Sequence, residues 1–190
     1  MTSKTRGIVS LRYYTLANIH PISDFNDSTR QFQNNFALLG NIGVTSRSYF
    51  RDVLIYGFGN TENIPSGISA AFTAGYNKVS TSNLMLLRLS FAGGKYINGT
   101  GYYYLSSNLD GLAGNGGVTD ISIQLAVNHF SRLYTVGNFR FRQFYAAQYI
   151  YIDNNVYVRH TDLTRSNGIR GKGTQLWYGT HKLRFNFESV

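Results

Sequence analysis

Histidines, carboxylates and hydroxyls are the side chains that could do chemistry here, and their spacing argues against it. His20, His129, His160 and His181 are scattered, with no His-x-x-x-His pair and no carboxylate at ligand spacing, so no metal site is expected. Asp162 and Ser166 follow His160 closely enough to be drawn as a nucleophilic triad. One connection, however, cannot hold nucleophile, base and orienting group rigidly. Asp24 and Asp27 lie in a polar stretch that lacks the remaining ligands of a calcium loop. The run from Asp110 to Gly117 is glycine-rich like a phosphate loop, but no helix follows to present its amides, and it reads as a flexible hairpin loop. With no cysteine, thiolate zinc sites, disulfides and cysteine nucleophiles are excluded together. The chain is expected to be neither an enzyme nor a cofactor carrier.

The elements that would position these residues are set by composition and period. At 190 residues and 21.4 kDa the chain has room for one domain, 1–190. Charged residues reach only 14% and aromatics 15%, a balance that ill suits a solvated outer surface. Eighteen Lys and Arg against nine Asp and Glu leave +9, which invites an acidic partner. Those charges are dispersed over every candidate strand, so no nucleic-acid patch is expected. Residues 1–14 have a basic start without an apolar core, which does not read as a signal peptide, and no apolar run is long enough for a membrane helix.

Alternation with period two recurs along the chain. Over Thr119 to Phe130, Ile121, Ile123, Leu125 and Val127 alternate with Asp120, Ser122, Gln124 and Asn128. Near the end, Leu183, Phe185 and Phe187 alternate with Lys182, Arg184, Asn186 and Glu188. Asn138 to Tyr151 reads as a third strong strand, with weaker ones at Arg6 to Leu16, Phe36 to Ser46, Ile68 to Tyr76, Leu84 to Tyr96 and Thr100 to Leu109. About eight antiparallel strands result, with Asn98-Gly99 as a tight hairpin turn.

The best of these segments match the nine to eleven or so residues of a tilted membrane strand, and aromatics crowd toward their ends as interfacial girdles do. The fold expected is an all-β, antiparallel transmembrane β-barrel whose lumen is lined by Arg12, Arg88, Arg140, Arg142, Lys182 and Arg184. A complete eight-stranded barrel with a structural or adhesive role, and a soluble lipocalin-like lipid-binding barrel, are the alternatives.

Between the last two strands, a connection from Asp153 to about Tyr178 carries Gly168-Ile169-Arg170-Gly171, and a glycine-led strand, Gly179 to Glu188, follows it. This combination resembles the BamA-like bacterial surface-antigen barrels, whose lumen loop carries a (Val/Ile)-Arg-Gly-(Phe/Tyr) tip; here Lys172 replaces the aromatic. The segment Tyr56 to Gly67 is similar to a connection in the Bacteroidota relatives of that family. The resemblance implies the middle part of a sixteen-stranded barrel without a periplasmic domain, located in the bacterial outer membrane. It further implies a role in outer-membrane protein assembly or polypeptide translocation, with Arg170 in the lumen and Glu188 and Asp120 as its charge partners. Lipid, lipopolysaccharide, a client polypeptide and accessory assembly proteins would be its partners.

Overall fold

A period-two pattern sustained over this much chain leaves extended strands as the conformation that sorts oily from wet side chains, and adjacent hairpins then pair. The computed structural model describes residues 4–17, 34–55, 57, 60–79, 82–114, 116–154, 161–162 and 178–190. The strands are β1 (Lys4–Leu16), β2 (Asn35–Val53), β3 (Thr61–Val79), β4 (Ser82–Ile97), β5 (Gly101–Gly114), β6 (Gly117–Ser131), β7 (Tyr134–Val136), β8 (Phe139–Phe141), β9 (Gln143–Asn154), β10 (Thr161–Asp162), β11 (Tyr178–Gly179) and β12 (His181–Ser189). Eight of them form one antiparallel sheet in the order β1-β2-β3-β4-β5-β6-β9-β12, while β7-β8 and β10-β11 are separate two-stranded ribbons.

The sheet is open. β1 and β12 stand at its two ends and pair only with β2 and β9, so the expected closed barrel, whether sixteen-stranded, eight-stranded or lipocalin-like, is incorrect. Closure is set by strand tilt and by the stagger between first and last strands, and neither is written in the alternation of any single strand. Two further expectations change. The glycine run from Asp110 to Gly117 is taken up by β5 and β6 almost to its tip, with a register shift at Leu112 and Ala113. The strand expected over Asn138 to Tyr151 is broken: Phe139–Phe141 turns back onto Tyr134–Val136, where Tyr134 stacks on Phe141 at 5.3 Å, and only β9 joins the main sheet. The Asn98-Gly99 hairpin is present, with Thr100 N donating to Ile97 O and Gly99 at φ 84°.

The sheet curls around one face. Five ladder steps separate β2 from β9, which in a flat sheet would hold them roughly 24 Å apart. Instead, Arg142 Nη2, at the entrance to β9, lies 3.0 Å from Asp52 Oδ2 in β2. Arg142 is 1% exposed and its guanidinium sits 5.0 Å from the centre of the Phe130 ring. Its backbone is fixed too, exchanging hydrogen bonds with Val190 beyond the end of β12. The contact with Asp52 is ionic without hydrogen-bond alignment, and Nε and Nη1 have no hydrogen-bond partner among the described residues. Around this clamp Phe50 meets Tyr96 and Tyr102 at 5.0 and 5.5 Å, Tyr102 stacks on Phe130, and Ile64 is buried in the same cluster.

Asp52 and Phe50 reach that face because the alternation changes phase. In β2 the more sheltered residues are odd-numbered up to Thr45 and even-numbered from Ser48 onward, and in β3 the phase switches at Gly67, the register partner of Arg47. Gly67 has φ 136°, and a Cβ there would overlap the Ser46 carbonyl. A second close approach lies nearby, where Tyr102 Oη donates to Pro65 O at 2.7 Å across Gly94, whose absent Cβ leaves room for the ring.

Two outcomes are expected. Gly67→Ala should lower unfolding free energy by about 1–3 kcal/mol, while Gly7→Ala, with open space around the site, should change little in the same urea titration. Asp52→Ala leaves a buried guanidinium unpaired and should cost about 3–5 kcal/mol, and adding Arg142→Met should recover much of that loss. Equal stability of Asp52→Ala and wild type would mean the clamp does not hold the curl.

Candidate binding site

The strand registers align side chains into rows that cross the sheet. On the concave face one such row reads Ser10, Asn41, Thr73, Arg88, Asp110 and Ser122, each the pairing partner of the next. The row beside it reads Arg12, Leu39, Gly75, Leu86, Leu112 and Asp120. Together they border a cavity of about 600 Å³ that spans β1 to β6. Hydrogen bonding is built into it: Asn41 Nδ2 donates to Thr73 Oγ1 at 2.7 Å, and Arg88 forms an ion pair with Asp110. Asn77 and Asp120 are buried at the wall, and Asn35 Oδ1 is buried there with no hydrogen-bond partner among the described residues.

The opposite face is apolar. One of its rows runs the full width of the sheet as Val9, Ile42, Phe72, Leu89, Leu109, Ile123, Tyr151 and His181. Val9 is 84% exposed and Phe185, on a parallel row, 72%. Side chains that would form the core of a sandwich thus point away from the polar trough.

Of the basic residues assigned to a lumen, Arg12 and Arg88 line the trough, and Lys182, Arg184 and Arg142 belong to the same face nearer β12. Arg140 is instead an exposed residue of the separate β7-β8 ribbon. Asp120 is buried in the trough wall, and Glu188 is exposed on β12 beside Phe144. Gly168, Ile169, Arg170 and Gly171 lie outside the described residues, as do His20, Asp24, Asp27, His160 and Ser166. Among the described residues no three His, Asp or Glu side chains come together as a metal site. His129 stacks at 4.3 Å on Tyr103 with Nδ1 2.9 Å from Tyr102 O, and His181 Nδ1 lies 2.9 Å from Tyr149 Oη.

Sequence reasoning missed Ser10, Asn41, Thr73, Asp110 and Ser122 as a group, and missed Asp52 as the partner of Arg142. A signal for part of the group was present. The hairpin centred on Gly99 fixes the β4-β5 register, and counting outward from it brings Arg88 opposite Asp110.

No family model, curated protein or solved structure matches the chain. The resemblance to the BamA-like barrels is therefore not upheld: short glycine-flanked motifs carried it, and the open sheet lacks the closed wall those motifs presuppose. The role in outer-membrane protein assembly or translocation falls with it. So do the outer-membrane location and the partnerships with lipid, lipopolysaccharide, a client polypeptide and accessory assembly proteins, which rested on that family and that wall.

The Arg88 and Asp110 side chains are 50% and 25% exposed, so water screens their attraction. A double-mutant cycle with Arg88→Met and Asp110→Leu should give a coupling below about 1 kcal/mol. A coupling several times larger would mean that the pair holds the sheet and is not free to exchange partners with a solute.

Proposed function

We propose that this chain is a non-catalytic binding module that takes polar solutes on the concave face of its sheet. The observation that carries this reading is the unbroken polar row from Ser10 to Ser122 beside a cavity of about 600 Å³, a volume in the ordinary range for small-ligand sites. Six strands contribute to the lining, so the donors and acceptors sit on rigid elements rather than on loops. Support for the absence of catalysis comes from where the two described imidazoles are. His129 and His181 lie on the apolar face, engaged with tyrosine rings, a backbone carbonyl and a tyrosine hydroxyl, and away from Asp110 and Asp120 across the sheet.

The test is a screen of peptides, nucleotides, oligosaccharides and small polar metabolites against wild type and Ser122→Trp, a substitution that places an indole in the trough. Solutes that bind wild type are expected to lose binding to Ser122→Trp and to be recovered chemically unchanged. Binding that ignores the indole, or turnover of a bound solute, would overturn the reading.

A further inference from the structure

We propose that the solute is a neutral, hydroxyl-rich oligosaccharide lying across the strands, an assignment that rests on the concave face being the binding surface. Three observations converge on it. The first is the repeat of the polar row. Ser10, Asn41, Thr73, Arg88, Asp110 and Ser122 offer one polar side chain from each of six neighbouring strands, a continuous band of donors and acceptors that suits a ligand carrying hydroxyls along its whole length.

The second observation is chemical. A pyranose ring is amphipathic, with hydroxyls around its rim and C–H bonds on its faces. The trough has the matching pair of surfaces, because Leu39, Leu86 and Leu112 occupy the row next to the polar one, and Tyr14 adds an aromatic ring at the β1 side. Hydroxyls both donate and accept, as the mixed lining of Ser, Thr, Asn, Asp and Arg requires. Asn35 Oδ1, buried in that lining and lacking a hydrogen-bond partner among the described residues, is an acceptor that a sugar hydroxyl would satisfy.

Charge is the third. The chain as a whole carries +9, yet the ionised side chains that line the trough cancel, Arg12 and Arg88 against Asp110 and Asp120. A polyanion such as a nucleic acid or an acidic glycan would gain nothing from the trough that it would not gain from the rest of the surface.

The experiment is titration calorimetry of the full chain with cellohexaose, hexaglycine and hexa-aspartate as probes. The protein is held in a polyoxyethylene detergent, which has no sugar head group to compete. Cellohexaose is expected to bind, with Thr73→Val and Arg88→Met each weakening it by about tenfold and Arg140→Ala, on the separate ribbon, leaving it unchanged. Folding of each variant is checked by circular dichroism, and the milder Asn41→Ser replaces either one that fails. Binding of hexaglycine or hexa-aspartate in place of cellohexaose, lost on Ser122→Trp, would overturn the saccharide assignment and leave the binding surface standing. Silence of all three probes would overturn the assignment alone if the broader screen finds a trough ligand, and both readings if it finds none. Cellohexaose binding that Thr73→Val and Arg88→Met leave intact would overturn its placement along the row.

Discussion

The contact between Arg142 and Asp52 sets the shape on which everything else depends. Among the described residues no second layer packs against the main sheet, so within them its curvature is fixed by side chains that reach across its own concave face. Arg142 is long enough to do this and presents a flat guanidinium that lies against the Phe130 ring. Its burial at 1% exposure makes the pairing obligatory, because an isolated charge there would carry a desolvation cost of several kcal/mol. The phase change at Gly67 is what lets Asp52 meet it. Without that change Asp52 would lie on the apolar side and β2 and β9 would have no ionic tie.

Curvature in turn separates the two faces. The polar rows converge toward one another on the inside and the apolar rows spread on the outside, the reverse of a water-soluble sandwich, which buries its oily rows. The sheet's apolar row eight strands wide exceeds the patches of a few hundred Å² that monomeric proteins ordinarily leave open.

Much of this was legible in the residues, and the part that was not has a specific cause. Alternation in Thr119 to Phe130 and in Leu183 to Phe187 gives both strands and both faces correctly, because a period of two has one structural solution. The same alternation carries no information on whether β1 meets β12. Nor could it reveal that Phe139–Phe141 leaves the main sheet, since odd-numbered Phe139 and Phe141 continue the phase of Tyr145 and Tyr149 without interruption. Arg140 was placed with the lining residues for that reason alone. Asp52 was hidden by the phase change, which a reader assuming constant alternation along β2 would carry to the wrong face. The glycine run from Asp110 to Gly117 misled in the opposite direction, because glycine signals a loop in isolation but in β5 several of these positions simply extend the strand.

Net charge is the property that a composition shows most plainly and that localises least. An excess of +9 suggests an acidic ligand, yet the excess is not concentrated in the two rows that matter for binding. Arg88 is answered by Asp110 within its own row, and Arg142 is spent on Asp52 in fixing the curl. Lys4 and Arg6 stand on the exposed edge strand and Arg140 on the separate ribbon, outside the trough lining. What remains inside the cavity is electrically balanced and dense in hydroxyls and amides. Recognition there depends on the positions of individual donors and acceptors along strands held a fixed distance apart, and such recognition requires the rigid curvature that the Arg142–Asp52 contact provides.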